Sequence, residues 1–141
     1  MNPEVQIAVY WDASAILSAL FKDSWSKEAL DWSQKEGIHL ISTLAYSEVS
    51  AVITRLKKDR IIADVLVNAA FEALEHGPWR RLNLGPDWED IKILSLRRSL
   101  RGADLWHLAT AKTLHKQIPE LILLTFDKRL KVAAEGEDLS R

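Results

Sequence analysis

Two kinds of apolar run alternate along the chain. Short, continuous runs rich in β-formers predict strands, and longer runs with apolar residues three or four positions apart predict helices. The predicted strands cover residues 5–11, 38–41, 79–84 and 121–126, of which 79–84 has the alternation of a half-exposed or edge strand. The predicted helices cover residues 15–21, 24–36, 44–58, 61–75, 87–99, 102–111 and 128–135. This alternation predicts an α/β fold with a mostly parallel sheet of about four or five strands, helices on both faces and right-handed crossovers.

One acid interrupts the apolar face of the helix that begins near Gly102. On a period of 3.6 residues, Asp104 shares a stripe with His107, Leu108 and Ala111. An ionised carboxylate is costly to remove from water unless a cation or several donors compensate it. Asp104 is therefore expected to have partners, and other acids in related places become informative.

Three further acids occupy such places. Asp12 and Asp127 each directly follow a predicted strand, and Glu48 lies in or beside the apolar stripe of helix 44–58. In parallel sheets ligands gather at the carboxyl ends of the strands, so the three acids and Asp104 are expected to converge there. An aspartate between a strand and a helix is also a common N-cap, and a capping role for Asp12 or Ser14 stays open.

Four converging carboxylates would repel one another and raise each other's pKa values. A divalent cation reverses that effect, and Mg²⁺ or Mn²⁺ suits a set of oxygen ligands without thiolates or clustered histidines better than Zn²⁺ does. Such ions commonly act on phosphates, where they help to form the attacking hydroxide and stabilise the departing oxygen. The pattern therefore favours metal-assisted phosphate chemistry.

Composition narrows the classes of function. A chain of 141 residues with 48% hydrophobic positions is expected to form one domain over 1–141. The net charge of −1 argues against a non-specific nucleic-acid coat or a membrane-surface binder, although a local basic patch remains possible. Zero cysteines favour a cytoplasmic protein, and no segment has the pattern of an export signal or approaches the roughly 20 apolar residues of a membrane span.

Four motifs together resemble the PIN domain, and the VapC-type toxins most closely. They are Asp-Ala-Ser-Ala from Asp12, Ala-Tyr-Ser-Glu-Val from Ala45, Arg-Gly-Ala-Asp-Leu-Trp-His from Arg101 and Thr-Phe-Asp-Lys-Arg-Leu from Thr125. Their order and spacing match the family over a core of about residues 5–135. The resemblance implies a metal-dependent ribonuclease that hydrolyses RNA phosphodiester bonds with Mg²⁺ or Mn²⁺.

The resemblance also implies roles for particular residues and partners. Asp12, Glu48, Asp104 and Asp127 would form an acidic quartet that is both catalytic and metal-binding. Ser14 and Thr125 would support it with their hydroxyl groups. A homodimer is implied and, for a toxin, a cognate antitoxin protein that blocks the site.

The end of the chain departs from the family pattern, and three aromatic or histidine residues have competing structural and functional interpretations. Only residues 136–141 follow the last predicted helix, so the final strand of many relatives is expected to be missing or to lie outside this chain. His107 is expected to be a packed or hydrogen-bonded residue and not a metal ligand. Trp11 and Trp106 are expected in the core more than in base stacking.

Basic residues flank the acids in sequence, and other functional classes remain open. An RNA backbone that approaches four carboxylates needs cations around the rim, and the candidates are Arg97, Arg98, Arg101, Lys128 and Arg129. One alternative is a catalytically inactive PIN-like module that binds RNA or protein. A receiver-type phosphoacceptor domain fits less well because Asp12 has no acidic neighbour before it, and a haloacid-dehalogenase-like phosphatase would need an Asp where this chain has Ser14.

Overall fold

A parallel sheet forms the centre of the molecule. The structure, a computed structural model, describes residues 6–140. Within them the strands are β1 (Ile7–Trp11), β2 (Gly37–Ser42), β3 (Trp79–Leu82) and β4 (Leu121–Leu124). Their order is β3-β2-β1-β4, and every neighbouring pair is parallel. The predicted α/β fold with a parallel sheet is therefore confirmed, and the strand predicted at residues 79–84 is an edge strand.

Seven helices connect and flank the strands in the described part of the chain. They are α1 (Ala13–Leu20), α2 (Ser26–Ser33), α3 (Thr43–Lys58), α4 (Asp64–His76), α5 (Trp88–Arg97), α6 (Gly102–His115) and α7 (Lys128–Gly136). Each lies within a few residues of its predicted position. None of the helices in residues 6–140 is long and apolar enough to cross a membrane.

Element boundaries differ from the predictions where backbone geometry intervenes. The helix predicted from residue 61 begins only at Asp64, because Arg60 has a left-handed backbone with φ of 54° that ends α3 and starts a turn. The helix predicted over residues 24–36 ends already at Ser33, and Gly37 begins β2 with φ of 149°. A Cβ atom there would lie 2.2 Å from the backbone oxygen of Ile7, so the pairing of β2 with β1 requires glycine at this position.

The strands carry their side chains alternately into two apolar layers. Val9 and Trp11 of β1 face the layer built with α1 to α4. Ala8 and Tyr10 face the layer built with α5 to α7. Helices therefore cover both faces of the sheet, as predicted. Trp11 is fully buried, in agreement with a core role, whereas Trp106 is only partly buried.

The end of the chain packs beside β4 without forming a strand in the described residues. The backbone N–H of Leu123 donates to the carbonyl of Leu139 over 2.7 Å, and the Leu139 side chain is fully buried. The carboxylate of Glu137 accepts hydrogen bonds from Arg97 and Arg98, and Lys112 lies 3.2 Å from it. A buried ionic contact therefore anchors this segment to α5 and α6.

Candidate active site

Asp12 lies at the carboxyl end of β1 and is buried, with 3% of its surface exposed. Its Oδ1 accepts hydrogen bonds from the backbone N–H of Ala15 at 2.9 Å and from Ser14 Oγ at 2.7 Å. Its Oδ2 accepts one from Thr125 Oγ1 at 2.5 Å. Asp12 is thus the N-cap of α1, and the same carboxylate joins the end of β1 to the end of β4.

Ser14 and Thr125 connect Asp12 to the segment that leads into α7. Each hydroxyl gives its only hydrogen to Asp12 and accepts a backbone N–H in return, from Phe126 at 3.0 Å and from Asp127 at 3.1 Å respectively. These bonds draw residues 125–127 away from the sheet, which explains why β4 ends at Leu124 and not at residue 126 as predicted. The hydroxyl pair therefore fixes the backbone beneath Asp127.

Asp127 is exposed at the start of α7, and its Oδ1 caps the helix by accepting from the backbone N–H of Leu130 at 3.0 Å. Asp104 lies in the first turn of α6 and is partly buried. Burial raises the pKa of Asp104, and the negative charges of Asp127 and Glu48 raise it further, while His107 and Arg101 oppose the shift. The carboxylates from three separate segments therefore lie within reach of one another's electric fields.

Glu48 lies on α3 and is held by a buried histidine. Its Oε1 accepts a hydrogen bond from Nε2 of His107 over 2.6 Å. The other ring nitrogen, Nδ1, lies 2.6 Å from the hydroxyl oxygen of Tyr10, and the same oxygen lies 2.8 Å from Ser42 Oγ. His107 is therefore a buried, hydrogen-bonded residue, as expected, but its partner is a member of the acidic quartet.

Tyr10 and Ser42 were not among the predicted site residues. Both are buried, and burial raises the pKa of the Tyr10 hydroxyl, which therefore keeps its proton as a hydrogen-bond donor. A buried tyrosine hydroxyl normally requires a partner, so the tyrosine two residues before Asp12 was a usable signal. What could not be predicted is that its partner would come from α6.

The four acids lie near the carboxyl ends of the strands but do not form a ready-made set of metal ligands. In residues 6–140 no three acidic or histidine side chains form a group that could already hold a metal ion. Burial raises the pKa of Asp12, and its hydrogen bonds to Thr125, Ala15 and Ser14 lower it by less. A set of carboxylate oxygens without cysteine, in which burial and then like charges raise the pKa of Asp104, fits a hard divalent cation. Such a cation would have to draw the side chains closer together.

A basic groove lies beside Asp127. It has a volume of about 660 Å³ and is lined by Arg97, Arg98, Lys128 and Arg129, among others. Arg97 and Arg98 share the carboxylate of Glu137, so part of their charge is compensated. Lys128 and Arg129 are exposed and make no ion pair within the described residues. Of the predicted RNA-binding residues, the groove thus brings together four, while Arg101 is exposed at the N-cap of α6.

The parallel sheet, with acids near the carboxyl ends of its strands, defines an α/β domain with a candidate active site. The family model of the PIN domain matches residues 9–136. The chain therefore belongs to the PIN domain family, and the resemblance noted from its motifs is confirmed. A search of curated proteins finds no match to this sequence.

Two solved structures share the fold. PAE2754 from Pyrobaculum aerophilum is 17% identical in sequence, with a TM-score of 0.61 over 92% of this chain and 81% of that one. VapC20 from Mycobacterium tuberculosis, described as a toxin that cleaves the sarcin-ricin loop, is 14% identical, with a TM-score of 0.59 over 89% of this chain and 95% of that one. At these identities the likeness concerns the fold.

Proposed function

We propose that this PIN domain is a ribonuclease that uses Mg²⁺ or Mn²⁺ to hydrolyse RNA phosphodiester bonds. The observation that supports the proposal is that burial, together with the charges of Asp127 and Glu48, raises the pKa of Asp104, while Thr125 joins Asp12 to the backbone of Asp127. These four residues would hold the metal. PIN membership supports this reading and leaves nothing in favour of a receiver-type or dehalogenase-like domain.

The four acids would contribute differently, because some are oriented by hydrogen bonds and others are not. Asp12 is oriented by three hydrogen bonds, and Glu48 is oriented by His107. Asp104 and Asp127 have the charges that a cation would relieve most directly. Bound there, Mg²⁺ or Mn²⁺ would supply a hydroxide nucleophile from water and offset the charge on the departing oxygen.

The substrate we propose is RNA, guided by the basic groove. Lys128 and Arg129 directly follow Asp127, so their charges would offset the repulsion between the RNA backbone and the acids. The fold shared with VapC20, a toxin that cleaves the sarcin-ricin loop, supports an RNA substrate and a toxin role with a cognate antitoxin partner. A cytoplasmic location is part of this proposal.

A homodimer is also part of the proposal. The outer side of α5 exposes Trp88, Ile93 and Leu96, with 90%, 40% and 80% of their surfaces accessible. Exposed apolar groups of this size on one helix commonly mark a surface used in association. Light scattering during size-exclusion chromatography measures the mass directly, and a monomer at micromolar concentration would contradict this part.

An inactive PIN-like binding module is the second candidate, and one observation favours it. The carboxylate of Asp12 is already occupied by three hydrogen-bond donors, and no metal-binding group is preassembled in residues 6–140. A module of this kind would bind RNA without cutting it and would be indifferent to divalent cations. The two candidates therefore differ in a single measurement, metal-dependent cleavage.

The decisive experiment follows cleavage of labelled RNA with Mg²⁺ or Mn²⁺, with a chelator, and with metal restored. Cleavage should vanish on chelation and return with the metal. Asp12→Asn, Glu48→Gln, Asp104→Asn and Asp127→Asn should each slow it by about a hundredfold, comparable to losing roughly 3 kcal/mol of transition-state stabilisation. The exposed acid Glu89 serves as the control, since Glu89→Gln should leave the rate unchanged. Undiminished cleavage after thorough chelation would refute the mechanism.

A further inference from the structure

A cavity of about 350 Å³ lies next to the acidic edge and has no role in the function proposed above. It is formed where β2 and β3 end against the first turns of α3. Its polar lining includes Ser42, Thr43, Tyr46, Ser47, Arg81 and Asn83. This volume is within the range of small-molecule sites, although the cavity is partly open to solvent.

The cavity shares two lining residues with a second groove that lies beside the acids. Thr43 and Ser47 also line a shallow groove whose other side is the start of α6, with Gly102, Ala103 and Trp106. Ser47 directly precedes Glu48, and Ala103 directly precedes Asp104. Neighbouring strands are about 4.8 Å apart, so the ends of β2 and β3 lie only one and two strand spacings from the end of β1 and Asp12. A nucleotide adjacent to the cleaved bond can therefore reach the cavity.

The aromatic ring in the cavity is held in place by ionic contacts. Arg81 places its guanidinium 5.5 Å from the centroid of the Tyr46 ring, and Glu75 binds both the Tyr46 hydroxyl and Arg81. Because Glu75 compensates the charge of Arg81, the cavity has little free positive charge to attract a phosphate. A planar group with an apolar face fits it better than an anion does.

The rim of the cavity offers hydrogen-bonding groups for the edge of such a planar ligand. Asn83 is exposed at the end of β3, and its side-chain amide has both donors and an acceptor. Ser47 uses its hydroxyl hydrogen on the Thr43 carbonyl, so Thr43 is the better placed of the two hydroxyls to contact a ligand. RNA bases that are unstacked combine a π-face with a polar edge, and proteins read them with aromatic, guanidinium and amide groups.

We propose that this cavity binds one base of the RNA substrate, within one or two nucleotides of the cleaved bond, and so selects where the RNA is cut. The inference rests on the proposed ribonuclease function. Tyr46 and Arg81 would contact the face of the base, and Asn83 would contact its polar edge. The substrate is accordingly a single-stranded or looped RNA, because a base within a helix cannot enter the cavity.

The test measures both cleavage selectivity and binding, with wild type, Tyr46→Ala and Asn83→Ala. A randomised RNA pool should show a base preference at one position near the cut for wild type. Tyr46→Ala should lose that preference and raise KM about tenfold, since stacking one base contributes roughly that much, while kcat changes little. Because Asn83 is exposed, Asn83→Ala should weaken the preference and leave folding unaffected. Arg80→Ala is the matched control, because Arg80 is the neighbouring exposed arginine of β3 and does not line the cavity.

A binding measurement separates the failure of this proposal from the failure of the ribonuclease function. An oligonucleotide that lacks the base at the preferred position should bind wild type about tenfold more weakly than the intact oligonucleotide does. Tyr46→Ala should bind the two oligonucleotides equally. If wild type binds RNA in this base-dependent way but never cuts it, the ribonuclease function fails and the base site stands. If wild type cuts RNA and both variants keep its preference and affinity, the base site is wrong, and the cavity is then free for a peptide side chain.

Discussion

Asp104→Asn is expected to make the metal-free protein more stable. The change keeps the size of the side chain and removes the charge of the Asp104 carboxyl group, whose pKa is raised by burial and by Asp127 and Glu48. Asp104 is only partly buried, so solvent screening limits the relief to about 1 kcal/mol. A negative charge in the first turn of α6 also has a favourable interaction with the helix dipole of about 0.3–1 kcal/mol, which the substitution removes. Subtracting a dipole interaction of about 0.5 kcal/mol from this relief leaves an expected net gain of about 0.5 kcal/mol, or ~2 °C in melting temperature.

The pH dependence of this gain follows from the sign of the shift. A folded-state pKa above the ordinary value means that the folded protein holds its proton longer than the unfolded chain does. The metal-free wild type should therefore lose stability as pH rises through the interval between the two values, and Asp104→Asn should lack the part of that loss that comes from Asp104 and keep the part that comes from Asp12. The difference between the two proteins should be small below the ordinary aspartate pKa and largest near neutral pH.

Metal should reverse the ranking of the two proteins. A ligand that binds only the folded state at about a hundred times its Kd stabilises it by about 2.7 kcal/mol, or roughly 8 °C for a domain of this size. Asp104→Asn should retain only part of that increment because it lacks one ligand. The assay is thermal melting with chelator and with Mn²⁺, and Glu89→Gln should respond to Mn²⁺ as wild type does. If Asp104→Asn melts below wild type without metal and Mn²⁺ stabilises both equally, Asp104 is a structural residue.

Three further perturbations test other contacts. The double change Arg101→Ala with Arg129→Ala should weaken RNA binding and flatten its dependence on salt, and an unchanged slope in a titration at several salt concentrations would place the RNA elsewhere. His107→Ala should lower the melting temperature by roughly 6 °C, because a buried charge-assisted bond to Glu48 contributes about 2 kcal/mol; a melting temperature within 1 °C of wild type, on the order of 0.3 kcal/mol, would contradict this. Glu137→Gln should cost about 3 kcal/mol at neutral pH, since it breaks a buried pair with three cationic side chains. Burial raises the pKa of Glu137, but those bonds lower it by more. Its contribution to the free energy of unfolding is therefore lost as pH falls through the lowered folded-state pKa. Denaturant titrations should find that the stabilities of wild type and variant converge in acid.

The fold was largely predictable because local patterns and tertiary structure agree. The runs that predicted β2 and β4 are mainly apolar at successive positions, as strands covered by helices on both faces must be. Their parallel arrangement then brings Asp12 and the residues after Leu124 to the same edge without further information. The positions of Asp12 and Asp127 therefore followed from the order of the elements alone.

The contacts between distant side chains were not predictable in the same way. His107 and Glu48 are 59 positions apart, and Tyr10 and His107 are 97 apart, so no local period reports their pairing. The same limit applies to Arg97 and Arg98, whose proximity to the acids in sequence indicated an RNA contact. The structure shows that they also bind Glu137, which lies about 40 positions away.

The two interpretations of Asp12, helix cap and site residue, turn out to be compatible. The backbone N–H of Ala15 and the hydroxyls of Ser14 and Thr125 stabilise the buried carboxylate in the folded protein whether or not a metal binds. Within residues 6–140 the Asp104 carboxylate has no comparable set of donors, and burial with the charges of Asp127 and Glu48 raises its pKa more than His107 and Arg101 lower it. The hydrogen bonds thus offset part of the cost of burying Asp12, whereas Asp104 depends more on the compensation that a bound cation would supply. Stability measurements on Asp12→Asn and Asp104→Asn should differ in sign without metal. Asp12→Asn should be destabilising because its amide nitrogen would replace an acceptor oxygen and leave the buried Thr125 hydroxyl unpaired.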